Sequence, residues 1–286
     1  MSEIKKELKK PLIDGLVKLN LPAADPYVTG KWYCDMFDLD PNASNHSPLK
    51  KDHNGKVVLQ TRSGMELFFI QSEEKLPLCY TNADGYDHTI LLFQVKEISE
   101  IFERMKEKGV KFYPEEINDR GSCGREFAFI DPDGRKIEIS DYDTEDWYSI
   151  GPLKPKLGDL ITLYLPVHHP YITPKWYCDM FDIDPNSTRH PVKEHGTNGA
   201  MLRIKSNFTF FFMTSNEFPK MSFTSVKGRN YAVTLFKAKE IDEIYKRMKD
   251  KKVDIISDDM AERDERCERF SFYDPDGRMI EITNGT

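Results

Sequence analysis

Two glutamates occupy matching settings and are the residues best placed to do chemistry. Glu138 closes the run Asp131-Pro132-Asp133-Gly134-Arg135-Lys136-Ile137-Glu138-Ile139, and Glu281 closes Asp274-Pro275-Asp276-Gly277-Arg278-Met279-Ile280-Glu281-Ile282. An Ile-Glu-Ile pattern in a strand sends the carboxylate to the face opposite its isoleucines. From there it can ligate a metal, move a proton or anchor a ligand. A hairpin must position each one. Proline presets the first corner, Asp-Gly supplies the residue that tolerates positive φ, and aromatic runs (Phe127-Ala128-Phe129, Phe270-Ser271-Phe272) form the strand before the turn.

Partners for these carboxylates are few. A facial site for a divalent metal wants about three converging His or carboxylate ligands. His88 with Glu138 is one weak metal-ligand pair, and two donors are too few. His46, His53, His190 and His195 fall in polar loops rich in Asn, Lys and Pro, which reads as solvated loop. His168-His169 reads as a loop pair near a cavity mouth. Cys34 and Cys178 sit identically within short amphipathic helices with no neighbouring base, and read as buried structural thiols. Gly-rich phosphate loops, Gly-x-Ser-x-Gly and His-Glu-x-x-His are absent.

The elements around these residues occur twice. Lys31-Trp32-Tyr33-Cys34-Asp35-Met36-Phe37 returns unchanged as Lys175-Trp176-Tyr177-Cys178-Asp179-Met180-Phe181. This is tandem duplication of a whole domain, not a short solenoid repeat. Each copy opens on an alternating strand that ends at proline (Leu16–Pro22, Leu160–Pro166). A helix, strands at 57–60 and 65–71 (200–204 and 208–213), and a strand at 89–95 (232–238) follow. Apolar residues at helical spacing, Ile98-Ile101-Phe102-Met105 and Ile241-Ile244-Tyr245-Met248, predict the clearest helix of each copy. Further strands at 111–113 and 253–256 precede the closing hairpins. The expectation is an α+β chain with a lead-in at 1–12, a first domain at 13–142, a linker at 143–158 and a second domain at 159–286. Each domain consists of two βαβββ halves.

Composition fits a soluble globular chain of 286 residues, with 39 % hydrophobic and 31 % charged content. A net charge of −7 and a pI near 5.6 argue against a nucleic-acid surface. No apolar run has spanning length and the N-terminus lacks a signal-peptide core, so no membrane partner is expected. Five cysteines without Cys-x-x-Cys spacing suit a reducing, cytoplasmic location.

Taken together, the Lys-Trp-Tyr-Cys-Asp-Met-Phe segment, the helix ending Arg104-Met105-Lys106-Glu107-Lys108-Gly109 and the Asp-Pro-Asp-Gly-Arg-x-Ile-Glu-Ile hairpin resemble the vicinal oxygen chelate superfamily of glyoxalase I, bleomycin-resistance and extradiol dioxygenase proteins. The resemblance covers nearly the whole chain as two tandem domains. It implies a curved, partly closed sheet round a cavity, with a divalent metal (Fe, Mn, Zn or Ni) held by His and Glu ligands. It also implies an intrachain pseudo-dimer. Position by position, Glu138 and Glu281 match the last-strand ligand. Lys18 and Thr162 replace the first-strand histidine. Ile90 and Val233 replace the fifth-strand histidine, with His88 and Tyr231 two residues earlier, and Gln71 and Thr214 are the polar residues at the fourth strand.

The reading that follows is a protein that binds a small, partly apolar organic ligand without the usual metal triad. Lys18, Asn20, Gln71, Glu138, Thr162, Tyr164, Thr214 and Glu281 are the candidate ligand-binding residues, and phenylalanines such as Phe68, Phe69, Phe210 and Phe211 supply apolar walls. Lys18 is expected beside Glu138, its ammonium substituting for the missing cation. The alternatives are a metal-dependent lyase, isomerase or extradiol dioxygenase with non-standard ligands (His88, His168 or His169), and an interaction module with collapsed cavities.

Overall fold

The structure, a computed structural model, describes residues 11–43, 48–51, 54–142, 155–194, 198–205, 208–256 and 268–285. Most of the lead-in, most of the linker, and His46, His53 and His195 lie outside them. The first repeat runs β1 (Ile13–Ala23), α1 (Pro26–Phe37), β2 (Lys56–Gln60), β3 (Glu66–Gln71), β4 (Cys79–Thr81), β5 (Asp87–Thr89), β6 (Leu91–Val95), α2 (Ile98–Glu107), β7 (Phe112–Asp119), β8 (Arg125–Ile130) and β9 (Lys136–Ser140). The second runs β10 (Leu157–Val167), α3 (Ile172–Phe181), β11 (Gly199–Lys205), β12 (Phe208–Thr214), β13 (Ser222–Thr224), β14 (Asn230–Ala232), β15 (Thr234–Ala238), α4 (Ile241–Asp250), β16 (Arg269–Tyr273) and β17 (Met279–Thr283).

Local chemistry accounts for the boundaries. Asp25 caps α1 by accepting from the amides of Tyr27 (2.9 Å) and Val28 (3.2 Å), and Pro26 sits in the first turn, where its missing N–H costs nothing. Asp38 and Asp182 end α1 and α3 in the left-handed conformation. The predicted helical stripe of α2 is its buried face: Ile98, Ile101, Phe102 and Met105. Three strand expectations change. The runs 89–95 and 232–238 break at Ile90 and Val233, because those amides donate to Leu78 (2.8 Å) and Met221 (2.9 Å), drawing Thr89 and Ala232 into separate hairpins with β4 and β13. Among the described residues, 253–256 form no strand but an isolated bridge, Ile255 to Phe272, flanked by hydrogen bonds from Ile256 N to Ser271 O and from Tyr273 N to Asp254 O (both 2.9 Å). No helix among the described residues is long and apolar enough to cross a membrane.

The strands form two large sheets. One has the order β16-β17-β15-β1-β3-β2 and the other β11-β12-β10-β6-β9-β8-β7. Each is assembled from both repeats. The first half of repeat one joins the second half of repeat two through β1 against β15, and β10 joins β6 in the same antiparallel way. The helices cover one face of each sheet. Tyr33 packs on Phe69 (4.9 Å between ring centres) and Tyr177 on Phe210 and Phe212 (5.2 and 5.1 Å). Leu19, Leu21, Leu67 and Phe69 are therefore core, while the alternate residues face away from the helices.

The Asp-Pro-Asp-Gly-Arg motif ties each hairpin to its own repeat. Gly134 (φ +84°) and Gly277 (φ +78°) supply the turn conformation that asparagine and glycine tolerate best. Arg135 is fully buried. It donates to Asp131 through Nε (2.7 Å), to Asp133 (3.0 Å) and to the carbonyl of Pro22 at the end of β1. Tyr33 of α1 donates to Asp131 (3.0 Å), and Thr29 to Asp133 (2.7 Å). Repeat two matches this network with Arg278, Asp274, Asp276, Pro166, Tyr177 and Thr173. Turn, strand end and helix are thus pinned by charges that neutralise one another.

Candidate functional site

The last-strand glutamates point to the face opposite the helices, and strand register shows what stands beside them. In the seven-stranded sheet one row reads Thr209, Thr162, Leu92, Glu138, Ala128. In the six-stranded sheet the corresponding row is Glu66, Lys18, Leu235, Glu281, Ser271.

On the face away from the helices, Glu138 stands in a setting of mixed polarity (the Glu138 recess). Thr89 Oγ1 donates to its Oε2 (2.9 Å). Tyr164, two residues along β10 from Thr162, places its ring 5.6 Å from Phe211 and 5.9 Å from His88, and His88 is 5.7 Å from Tyr80. Thr162 and Thr209 share a hydroxyl hydrogen bond of 3.2 Å. At the rim Arg120 pairs with Glu126 (2.8 Å). Among the described residues no cation reaches salt-bridge distance of Glu138. Glu138 stays partly accessible but is enclosed by protein on most sides, and this loss of water pushes its carboxyl up to about 7. The Glu126 charge adds to the shift, while the Thr89 hydrogen bond and the more distant Arg120 and Lys136 oppose it. Burial, then Lys136, holds the His88 imidazole below its ordinary range; burial, then Glu138, raises the Tyr164 hydroxyl. Near neutrality the recess presents a carboxyl poised between its two forms beside neutral rings. It can accept or donate a hydrogen bond and can exchange a proton.

The second recess has its charges already matched. Lys18 Nζ lies 2.8 Å from Glu66 and over the Phe68 ring (5.0 Å), and Arg269 Nε lies 2.8 Å from Glu281. Asn20 is buried and donates to the carbonyl of Ala232 (2.8 Å). The expected pairing of Lys18 with Glu138 is therefore corrected. Strand exchange puts Lys18 in the sheet of Glu281 and Thr162 in the sheet of Glu138, and Lys18 neutralises Glu66 instead.

The candidates thus fall into two sets: Glu138, Thr162, Tyr164 and His88 in one recess, and Lys18, Asn20 and Glu281 in the other. Gln71 and Thr214 end β3 and β12, outside both rows; Thr214 donates to the carbonyl of Asn198 (3.2 Å). His168 is a tie, with Nδ1 2.8 Å from Asp276 and its ring stacked on Phe218 at 3.9 Å. His190 is exposed and lies nearly parallel over Phe211, 6.0 Å away, at the edge of the Glu138 recess. Burial pushes the Cys34 and Cys178 thiols up to about 12, which suits structural residues. Sequence reasoning missed Glu66 and Thr209, the parallel neighbours of Lys18 and Thr162. It also missed Thr89, Arg120 and Glu126. Glu66 and Thr209 keep the repeat offset, so the duplication carried a signal for them; only register says that they face Lys18 and Thr162.

The donor chemistry does not fit the divalent metal that the fold implies. One row offers a single carboxylate and two hydroxyls, and the other offers two carboxylates already paired with Lys18 and Arg269. Among the described residues no three His, Cys, Asp or Glu side chains converge.

The sequence model for the Glyoxalase/Bleomycin resistance protein/Dioxygenase superfamily matches residues 15–139. No curated protein sequence matches the chain. Among solved structures, a mutant of glyoxalase I from Zea mays is similar at 15 % identity and a TM-score of 0.64, covering 94 % of this chain and 92 % of that one. Zea mays glyoxalase I without the mutation gives 15 % and 0.62 over the same shares. A Bacillus subtilis protein described only provisionally as a dioxygenase gives 12 % and 0.60, over 96 % of this chain and 86 % of that one. At such identities the likeness is one of fold, and it spans both repeats. Residues 15–139 thus carry the sequence pattern of the glyoxalase/bleomycin resistance protein/dioxygenase superfamily, and the chain as a whole shares its fold with glyoxalase I.

Proposed function

We propose that this protein binds a small, partly apolar organic ligand in the recess of the seven-stranded sheet, without a metal triad, and that Glu138 is the polar anchor. The observation that carries the reading is a carboxyl with no cationic partner among the described residues, held among Tyr164, Phe211, His88 and Leu92. Its raised proton affinity favours ligands that offer or accept a single hydrogen bond over strongly charged ones. Thr162 and Tyr164 are the supporting polar contacts. Lys18, Asn20 and Glu281 bind less readily, since each is already engaged within the protein.

The test is ligand-observed NMR with a panel of phenols, aromatic ketones and short alcohols against the wild type, Glu138→Gln and Phe211→Ala. Hits weakened by both substitutions support the recess. A panel without hits, or hits indifferent to both changes, would sink it. A carboxyl that titrates near neutrality can also shuttle a proton on a bound ligand. Turnover abolished in Glu138→Gln while binding persists would make the site catalytic.

A further inference from the structure

A cavity of about 120 Å³ opens at the edge of the six-stranded sheet, between the start of β2, the end of β3 and the turn joining β13 to β14. It is lined by Asn54, Lys56, Gln71, Lys227, Arg229 and Tyr231, over an apolar floor at the buried Ile70, with the exposed Val226 at its edge. Three cations converge here in a chain whose net charge is −7. No carboxylate lines the cavity, and among the described residues none of the three makes a salt bridge.

The cations are nevertheless held in place. Lys56 Nζ lies 5.6 Å from the centre of the Phe68 ring and 5.9 Å from that of Tyr231, and the Arg229 guanidinium is 5.3 Å from Tyr231. Lys227 Nζ donates to the carbonyl (3.2 Å) and side-chain oxygen (3.0 Å) of Asn54. The walls are joined by backbone: Gln71 N donates to Gly55 O (2.8 Å), and Val226 N to Gln71 O (3.0 Å). Like charges gathered without a counter-ion repel, and an anion between them relieves that repulsion. The corresponding positions beside the seven-stranded sheet are Gly199, Asp84 and Tyr86, so the cluster belongs to one side only.

We infer that this cavity is a binding site for a small organic anion, a carboxylate or phosphate carried on a compact apolar or aromatic body. The charged group sits among Lys56, Lys227 and Arg229, with the Gln71 amide alongside. The body lies against Tyr231 and the apolar floor. The site is separate from the Glu138 recess and stands or falls independently of it.

Calorimetric titration of the full chain at low ionic strength with benzoate and with phenyl phosphate tests the assignment, with benzyl alcohol as the neutral control. One anion per chain is expected, bound more weakly as salt rises. Lys56→Met combined with Arg229→Gln is expected to weaken binding by at least about tenfold, and Glu138→Gln to leave it unchanged. Lys227→Gln, at an exposed position, reads the same loss separately if the double variant unfolds. Preference for benzoate or for phenyl phosphate tells which acid group the cluster favours. The inference is overturned if neither anion binds, if benzyl alcohol competes with them for the same site as strongly as they bind it, or if variants with unchanged unfolding midpoints retain full affinity.

Discussion

Replacing Glu138 by glutamine removes one titrating group from the recess, and the consequence can be worked out in advance. In the folded chain the carboxyl titrates at about 7 against an ordinary 4.5, because folding strips water from it and brings Glu126 close. The native state therefore holds this proton more tightly than the unfolded chain. Between the two midpoints the native state binds more protons, so stability falls as pH rises. The advantage is fully present below the unfolded value and is gone above the folded one. For a single group with these midpoints the loss is roughly 2 to 3 kcal/mol between about pH 5 and about pH 8. Glutamine keeps the shape but cannot ionise. The wild type should therefore lose this amount relative to Glu138→Gln across the interval, with the variant the more stable of the two at the alkaline end. Urea unfolding of both proteins at several pH values measures the difference. A carbon-13 NMR titration of the glutamate carboxyls, with the missing signal of the variant giving the assignment, reads the midpoint directly. A midpoint in the ordinary glutamate range, or a wild-type-minus-variant stability that is flat with pH, would refute the argument that Glu138 is largely shielded from water and lacks a compensating cation.

Further outcomes follow from other parts of the molecule. Arg135→Met strands two carboxylates and the Pro22 carbonyl in the interior, and should cost roughly 3 to 5 kcal/mol in urea unfolding, with a similar loss for Arg278→Met. Lys18→Met breaks only a half-buried pair with Glu66 and should cost no more than about 1 kcal/mol; a loss as large as that of Arg135→Met would contradict this ranking. Cys34 and Cys178 should resist a thiol reagent at neutral pH in the native chain, because burial holds both thiols protonated; rapid labelling of either would show that its helix opens.

Much of the fold was legible because a duplication states it twice. Lys-Trp-Tyr-Cys-Asp-Met-Phe and Asp-Pro-Asp-Gly-Arg recur, and the arginine of the second meets two aspartates and a strand-end carbonyl while the tyrosine of the first meets one of those aspartates, which holds the local arrangement together in both copies. The partnership between halves was not legible. The seams β1–β15 and β10–β6 pair segments from different parts of the chain, and the two copies are so alike that local pattern cannot tell one partner from the other. That ambiguity misdirected Lys18. The family resemblance set it beside a last-strand glutamate, and the sheet supplied Glu281 where Glu138 was expected. Glu66 was overlooked because it opens β3 next to a loop, where a carboxylate looks solvated until parallel register sets it against Lys18. The cationic cavity draws on Lys56 from one repeat and on Lys227 and Arg229 from the other, a convergence that no reading along the chain could assemble.

The exchange of strands between repeats also bears on ancestry. Two copies of one repeat, paired as separate chains, would build both recesses from identical parts, and any substitution would appear in both at once. Joining the copies in one chain lifts that symmetry. A change at Lys18 or Lys56 now alters the six-stranded sheet alone, and a change at Thr162 or Phe211 the other. The charged pairs of one recess and the solitary carboxyl of its counterpart are the kind of divergence that a symmetric ancestor could not have carried.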